Sequence, residues 1–154
     1  MTYTVESLAA EQESLALPRF DYDTAWRLGQ LLHDRAAAVK APVGITVSHG
    51  DALVFLSLLP GATRDNLDWM ARKRAVVLRF HRSSLAMRLE AEAGGYDFNA
   101  RFLLPATDFI ASGGGVPLML RGGTLVGAVA VSGLPDVEDH RMVVDALREI
   151  IAQG

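Results

Sequence analysis

A chain of 154 residues, half of them hydrophobic and 21% charged, is long enough to build one core and too apolar to stay disordered. The absence of cysteine excludes disulfides, thiolate metal sites, a cysteine nucleophile and covalent c-type haem attachment. A net charge of −3 argues against a general nucleic-acid binder, whose surface would be basic.

Residues 1–17 carry Glu6, Glu11 and Glu13 and no lysine or arginine, the reverse of a secretory or transit leader. No apolar run approaches the roughly 18–20 residues of a membrane span. The expectation is a soluble, cytoplasmic protein without a membrane or nucleic-acid partner.

Val5, Leu8, Ala9, Gln12, Leu15 and Ala16 have helical spacing, and Pro18 ends that first helix. Asp21 or Asp23 caps a second helix reaching about Lys40, with Ala25, Leu28, Leu32, Ala36 and Val39 as its apolar stripe. Pro42 stops it. Val43–Ser48 and Ala52–Leu58 then read as an antiparallel hairpin around His49-Gly50-Asp51. The second strand is apolar on both faces, which predicts a central position beneath helices on both sides. Thr63 is the expected N-cap of a long helical stretch ending at Ala93, bent near Arg82-Ser83-Ser84, where a serine caps the second half. Residues 96–112 read as an irregular connection with a short helix after Pro105. A second hairpin follows Gly113-Gly114-Gly115, its first strand (Val116–Leu120) an edge because of Pro117, its second Thr124–Val131. A last helix runs from Pro135 or Asp136, capped by Asp136, to about Gln153. Two hairpins among helices imply an α/β (α+β) domain, a single antiparallel sheet with helices on both faces, over residues 1–154.

Three features are candidates for function. Gly113-Gly114-Gly115 could turn successive N–H groups toward an anion; Walker A and dinucleotide fingerprints are excluded, because no Lys-Ser/Thr follows and the next element is a strand. The long helix carries Arg72, Lys73, Arg74, Arg79, Arg82 and Arg88; Arg72 and Arg79 share a face that could hold carboxylates or phosphates, or pair with acidic groups of a neighbouring subunit. Of the histidines, His33 reads as solvated, His49 as a turn residue, His81 as a surface residue among arginines, and His140 as a helix-end residue. None has zinc-site spacing, so no metal site is expected. No serine sits in a nucleophile elbow, and no acid, base and nucleophile set is recognisable.

The block Gly113-Gly-Gly-Val-Pro-Leu, Gly-Thr-Leu-Val-Gly-Ala-Val-Ala-Val-Ser-Gly-Leu-Pro-Asp-Val-Glu-Asp-His140 resembles the haem-degrading-domain superfamily that includes GlcG, HbpS and the C-terminal part of PduO. Trp69-Met-Ala-Arg-Lys-Arg and Phe80-His-Arg-Ser-Ser84 resemble its branch of small proteins. The resemblance implies a profilin-like fold, an antiparallel sheet of about five strands between helices, and a homo-oligomer. Its family positions fall on Gly114, Gly115, Pro117, Ser132, Gly133, Asp139 and His140, with Arg72, Lys73, His81, Ser83 and Ser84 matching the helix motif. Ser112 stands where the branch commonly has histidine, and Val116 where it has phenylalanine; if that histidine ligates or catalyses, this chain has lost the function.

The expectation that follows is a haem or small-anion binding module with a pocket between the Gly113–Pro117 segment and the Ser132–His140 helix start. Gly114, Gly115, Pro117, Ser132, Gly133 and His140 would line it, Arg72 or Arg79 would assist, and His81 or His140 would ligate iron. The competing expectations are an interaction protein whose glycine strand and basic helix are subunit contacts, and an enzyme acting on haem or a small organic acid.

Overall fold

The computed structural model describes residues 2–154. Thr4 and Ser7 cap each other reciprocally and open α1 (Val5–Ser14). Asp21 accepts from the N–H and hydroxyl of Thr24, starting α2 (Tyr22–Ala38). β1 (Gly44–His49) and β2 (Ala52–Leu58) follow as a hairpin. The long helical stretch is two helices, α3 (Asp65–Phe80) and α4 (Ser84–Gly94): His81 ends the first in the left-handed region at φ 58, and Ser83 caps the second through the Ala86 N–H. α5 (Phe98–Phe102), β3 (Gly115–Met119), β4 (Leu125–Ser132) and α6 (Asp136–Ala152) complete the chain. None of the helices is long and apolar enough to cross a membrane, among the described residues.

The two hairpins join edge to edge in one antiparallel sheet of order β2-β1-β4-β3, with Gly44 opposite Ser132 and His49 opposite Gly127. It has four strands rather than about five. The chain comes nearest to a fifth at Leu17, whose N–H donates to Met119 and whose carbonyl accepts from Arg121. Pro18 has no N–H with which to continue that ladder.

α2 and α6 cover one face, burying Leu28, Leu32, Val143 and Leu147 against Ile45, Val47, Val129 and Val131. Each such side chain stabilises the fold by about 1.5–3 kcal/mol. α3 covers the other face over β4 and β3, and it lies very close. A Cβ on Gly115 would stand 3.0 Å from the Lys73 carbonyl oxygen, tight enough that a larger residue would push the helix away.

Four expectations need correction. β2 is an edge strand, not a central one: Leu53, Leu56 and Leu58 are 49%, 49% and 42% exposed, because α3 does not reach across to it. The short helix precedes Pro105, since Asp97 caps it through the Ala100 N–H and Phe98 and Phe102 pack on Phe80; Pro105 only opens a turn. Thr63 does not cap α3; its N–H and hydroxyl donate to the Asn66 side chain instead. Asp136 does not cap α6 either, because Pro135 holds the cap position and the Asp136 carboxylate turns to Gly113 and Arg88.

Candidate functional site

β3, β4 and the first turn of α6 bring the triple glycine beside the Ser132–His140 segment. The Val131 N–H donates to the Gly114 carbonyl at 3.0 Å, and the Gly113 N–H donates to Asp136 Oδ2 at 2.9 Å. The Gly115 N–H donates to the buried Ser84 hydroxyl at 2.9 Å. Two of the three glycine N–H groups therefore serve the chain's own side chains and are not turned toward an external anion. Gly114 holds φ at +131, and a Cβ there would stand 2.3 Å from the Val131 oxygen and 2.8 Å from Lys73 Nζ.

What the glycine makes room for is an ion pair. Lys73 Nζ of α3 donates to the Val131 carbonyl at 3.0 Å and to Asp139 Oδ2 of α6 at 3.2 Å; the two side chains are 3% and 1% exposed. Asp139 also accepts from the N–H groups of Leu134 at 3.0 Å and Gly133 at 3.3 Å. Burial pushes the Asp139 carboxyl up to about 6, with the Lys73 cation and the two N–H groups holding it back. Burial likewise pushes the Lys73 ammonium below the ordinary lysine range, opposed by Asp139. Both partners are thus less firmly charged than free side chains, although they face each other.

The pair opens on a cleft of about 250 Å³ lined by Asn66, Trp69, Ser112, Ser132 and Gly133. The Asn66 amide donates to the Ser132 hydroxyl at 3.1 Å, tying α3 to the end of β4. Gly114, Gly115, Ser132 and Gly133 lie together on this side of the molecule.

The remaining expected residues are dispersed. Arg72 stacks 4.6 Å over the Trp69 ring and reaches the cleft only through it. The Arg79 guanidinium is 5.9 Å from the Phe80 and Phe109 rings, outside the cleft. His81 is an exposed helix-end residue whose carbonyl accepts from Gln12. His140 follows Asp139 but faces the other way. It is 1% exposed, its Nε2 lies 2.7 Å from Glu11 Oε1 of α1, and the Tyr3 ring meets it edge-on. Its Nδ1 has no hydrogen-bond partner among the described residues. Pro117 shares with it a void of about 10 Å³, closed by Leu8 and Leu15. His33, expected in solvent, bonds Ser57 of β2 at 2.7 Å, and His49 stacks on Phe20. No cluster of three potential metal ligands occurs among the described residues.

The expected site list omitted the Lys73–Asp139 pair. A sequence signal for it existed: Met70, Lys73 and Val77 are spaced by three and four, which puts a cation on the buried stripe of α3. A buried cation requires a buried anion.

Comparison with known proteins agrees with this architecture. The family described as haem degrading protein HbpS-like matches residues 20–148. A UPF0303 protein of Paraburkholderia phymatum is 41% identical over 147 residues, covering 96% of this chain and 89% of the relative. A UPF0303 protein of Rhizobium rhizogenes is 46% identical over 140 residues, covering 91% and 86%. The crystal structure of Ybr137w protein superposes with a TM-score of 0.90 at 25% identity, over 99% of this chain and 90% of that one. The PduOC:heme complex shares the fold at a TM-score of 0.70 and 16% identity, over 84% and 93%.

Proposed function

From the premise that this chain belongs to the HbpS-like haem-degrading family, we propose that it is a small-ligand-binding module, acting as a homo-oligomer in the cytoplasm. One observation carries the ligand reading: a buried Lys73–Asp139 pair lines a cleft furnished with the Asn66 amide and the Ser112 and Ser132 side chains. Buried ionisable groups in a cleft are costly to keep and are concentrated at functional sites.

Haem is the ligand that a neighbour of this fold was solved with, but neither the Lys73–Asp139 cleft nor the surroundings of His140 fit an enclosed tetrapyrrole. The cleft is smaller than the roughly 300–1,000 Å³ of ordinary small-molecule pockets. His140 is closed off by α1 and Glu11. The geometry favours a small polar ligand over haem. Amide NMR titrations with pyruvate and, separately, hemin absorption titrations test this. The expected result is saturable shifts at Gly114, Ser132 and Gly133 with the acid, and no saturable Soret change sensitive to His81→Ala or His140→Ala. A hemin site lost in either histidine variant, with the cleft silent, would reverse the reading.

The oligomer rests on a different observation. β2 has no charged residue and an unpaired edge; Leu53, Leu56 and Leu58 on it and Trp26 packed against its Phe55 are exposed large hydrophobics. Such an edge invites a partner strand. Gly114 and Gly115 are buried within the chain, so β2, not the glycine strand, is the proposed seam with a second copy. Sedimentation velocity should show an oligomer that Leu56→Glu reduces to a folded monomer; a monomeric unmodified chain would contradict the seam.

A further inference from the structure

The chain has two lysines, Lys40 and Lys73, against thirteen arginines. Lys40 is exposed, so the one ion pair with both side chains deeply buried, among the described residues, uses the only other lysine. Arginine suits a permanent structural ion pair better, since it stays charged and offers a rigid fork of donors. Lysine differs in being able to give up its proton and become a nucleophile. Two of the three protons on Lys73 Nζ have partners, Val131 O and Asp139 Oδ2, and the residue lines the cleft.

We propose that Lys73 is an imine-forming residue that captures a small aldehyde or 2-oxo acid in this cleft, with Asp139 as its proton acceptor and donor. The inference rests on the small-ligand reading above and names the ligand class.

The step balances. The Lys73 ammonium passes one proton to the Asp139 carboxylate 3.2 Å away. The freed amine forms a bond from Nζ to the carbonyl carbon, and the C=O π pair moves to oxygen. A proton relayed from nitrogen makes the neutral carbinolamine. The Asp139 carboxyl then protonates the hydroxyl, which leaves as water as the nitrogen lone pair closes the protonated imine. Ammonium, carboxylate and carbonyl become protonated imine, carboxylate and water, with no oxidant, reductant or metal. Burial, which disfavours both charges of the pair, favours the first proton transfer. The Asn66 amide, already bonded to Ser132, and the neighbouring Ser112 offer hydrogen bonds for a carboxylate on the same ligand. The cleft volume of about 250 Å³ restricts the class to small acids and aldehydes.

The test uses the intact chain with pyruvate or glyoxylate and sodium cyanoborohydride, which fixes an imine as a secondary amine. Peptide mass mapping reads Lys73 against Lys40, an internal control for ordinary surface reactivity. The expected result is a gain at Lys73 equal to the acid less one oxygen, at a rate exceeding that at Lys40, because burial makes the Lys73 ammonium the readier of the two to give up its proton. Lys73→Met and Lys73→Arg should each abolish it, and whichever folds, judged by circular dichroism, suffices. Labelling confined to Lys40, or equal at both lysines in folded protein, overturns the proposal. If pyruvate shifts the cleft amides while Lys73 stays unlabelled, the small-ligand reading stands and this inference falls. If neither occurs, both fall.

Discussion

Asp139→Ala should lower the free energy of unfolding at neutral pH by about 3–5 kcal/mol in denaturant titrations, the cost of stranding one member of a buried ion pair. The variant leaves the Lys73 ammonium with the Val131 carbonyl alone and removes the acceptor for the Leu134 and Gly133 N–H groups. Lys73→Met combined with Asp139→Leu should recover more than half of that loss, because an apolar pair of similar volume removes both desolvation costs. A double variant as unstable as the single one would show that the carboxylate's backbone bonds dominate. The same group shapes the pH profile. Burial raises its carboxyl from the ordinary 3.8 to about 6 in the fold. The folded state therefore holds that proton more tightly than the unfolded chain does. The resulting stabilisation is complete below pH 3.8 and lost as pH rises toward about 6. It amounts to about 3 kcal/mol at about 1.4 kcal/mol per unit. Asp21 titrates the opposite way, its carboxylate favoured by the Thr24 bonds. The relevant quantity is thus the stability of the native sequence minus that of Asp139→Asn, which should fall across the window; a flat difference would contradict the assignment.

Gly114→Ala is expected to be of similar severity, at least about 3 kcal/mol, combining left-handed backbone strain with overpacking. The new Cβ would lie 2.3 Å from a main-chain oxygen of β4 and 2.8 Å from Lys73 Nζ, and the strand cannot shift without breaking the Val131–Gly114 bond. Gly123→Ala is the control. It also has positive φ, at 94, but a Cβ there meets nothing within 4 Å. It should lose only about 1 kcal/mol, the conformational part. Thermal melts of the two variants separate the terms, and equal losses would mean that the close approach at Gly114 contributes nothing.

The order of elements was readable because hydrophobic period, prolines and caps agreed with one another. Asp21 starts α2, Ser83 restarts the helix after His81, and the two hairpins sit where glycine turns divide alternating segments. The place of β2 was not readable. A strand apolar on both faces looks the same whether its outer face meets a helix of the same chain or an external surface, and Leu53, Leu56 and Leu58 are left exposed here. Asp136 misled for a related reason: a carboxylate at a helix start is an N-cap unless a distant partner takes it, and Gly113 and Arg88 lie 23 and 48 residues away. The site was half legible. The triple glycine, Ser132 and Gly133 were brought to one place, but as the housing of an ion pair rather than as an anion nest. His140 drew interest as a ligand, whereas its neighbour Asp139 is the one that faces the cleft and pairs with Lys73. In the first turn of a helix adjacent residues point apart, and sequence alone does not say which one faces inward.

The whole account depends on the glycine run and the start of α6 closing together over Lys73. A nuclear Overhauser experiment on isotopically labelled protein should show a strong cross-peak between the Gly114 α-protons and the Asp139 β-protons, since a Cβ built at Gly114 would lie 3.2 Å from the Asp139 Cβ. It should also show contacts from the Lys73 ε-methylene to Gly114. Their absence, with Asp139 in contact instead with α1 or with solvent, would mean that the cleft and its ion pair do not exist.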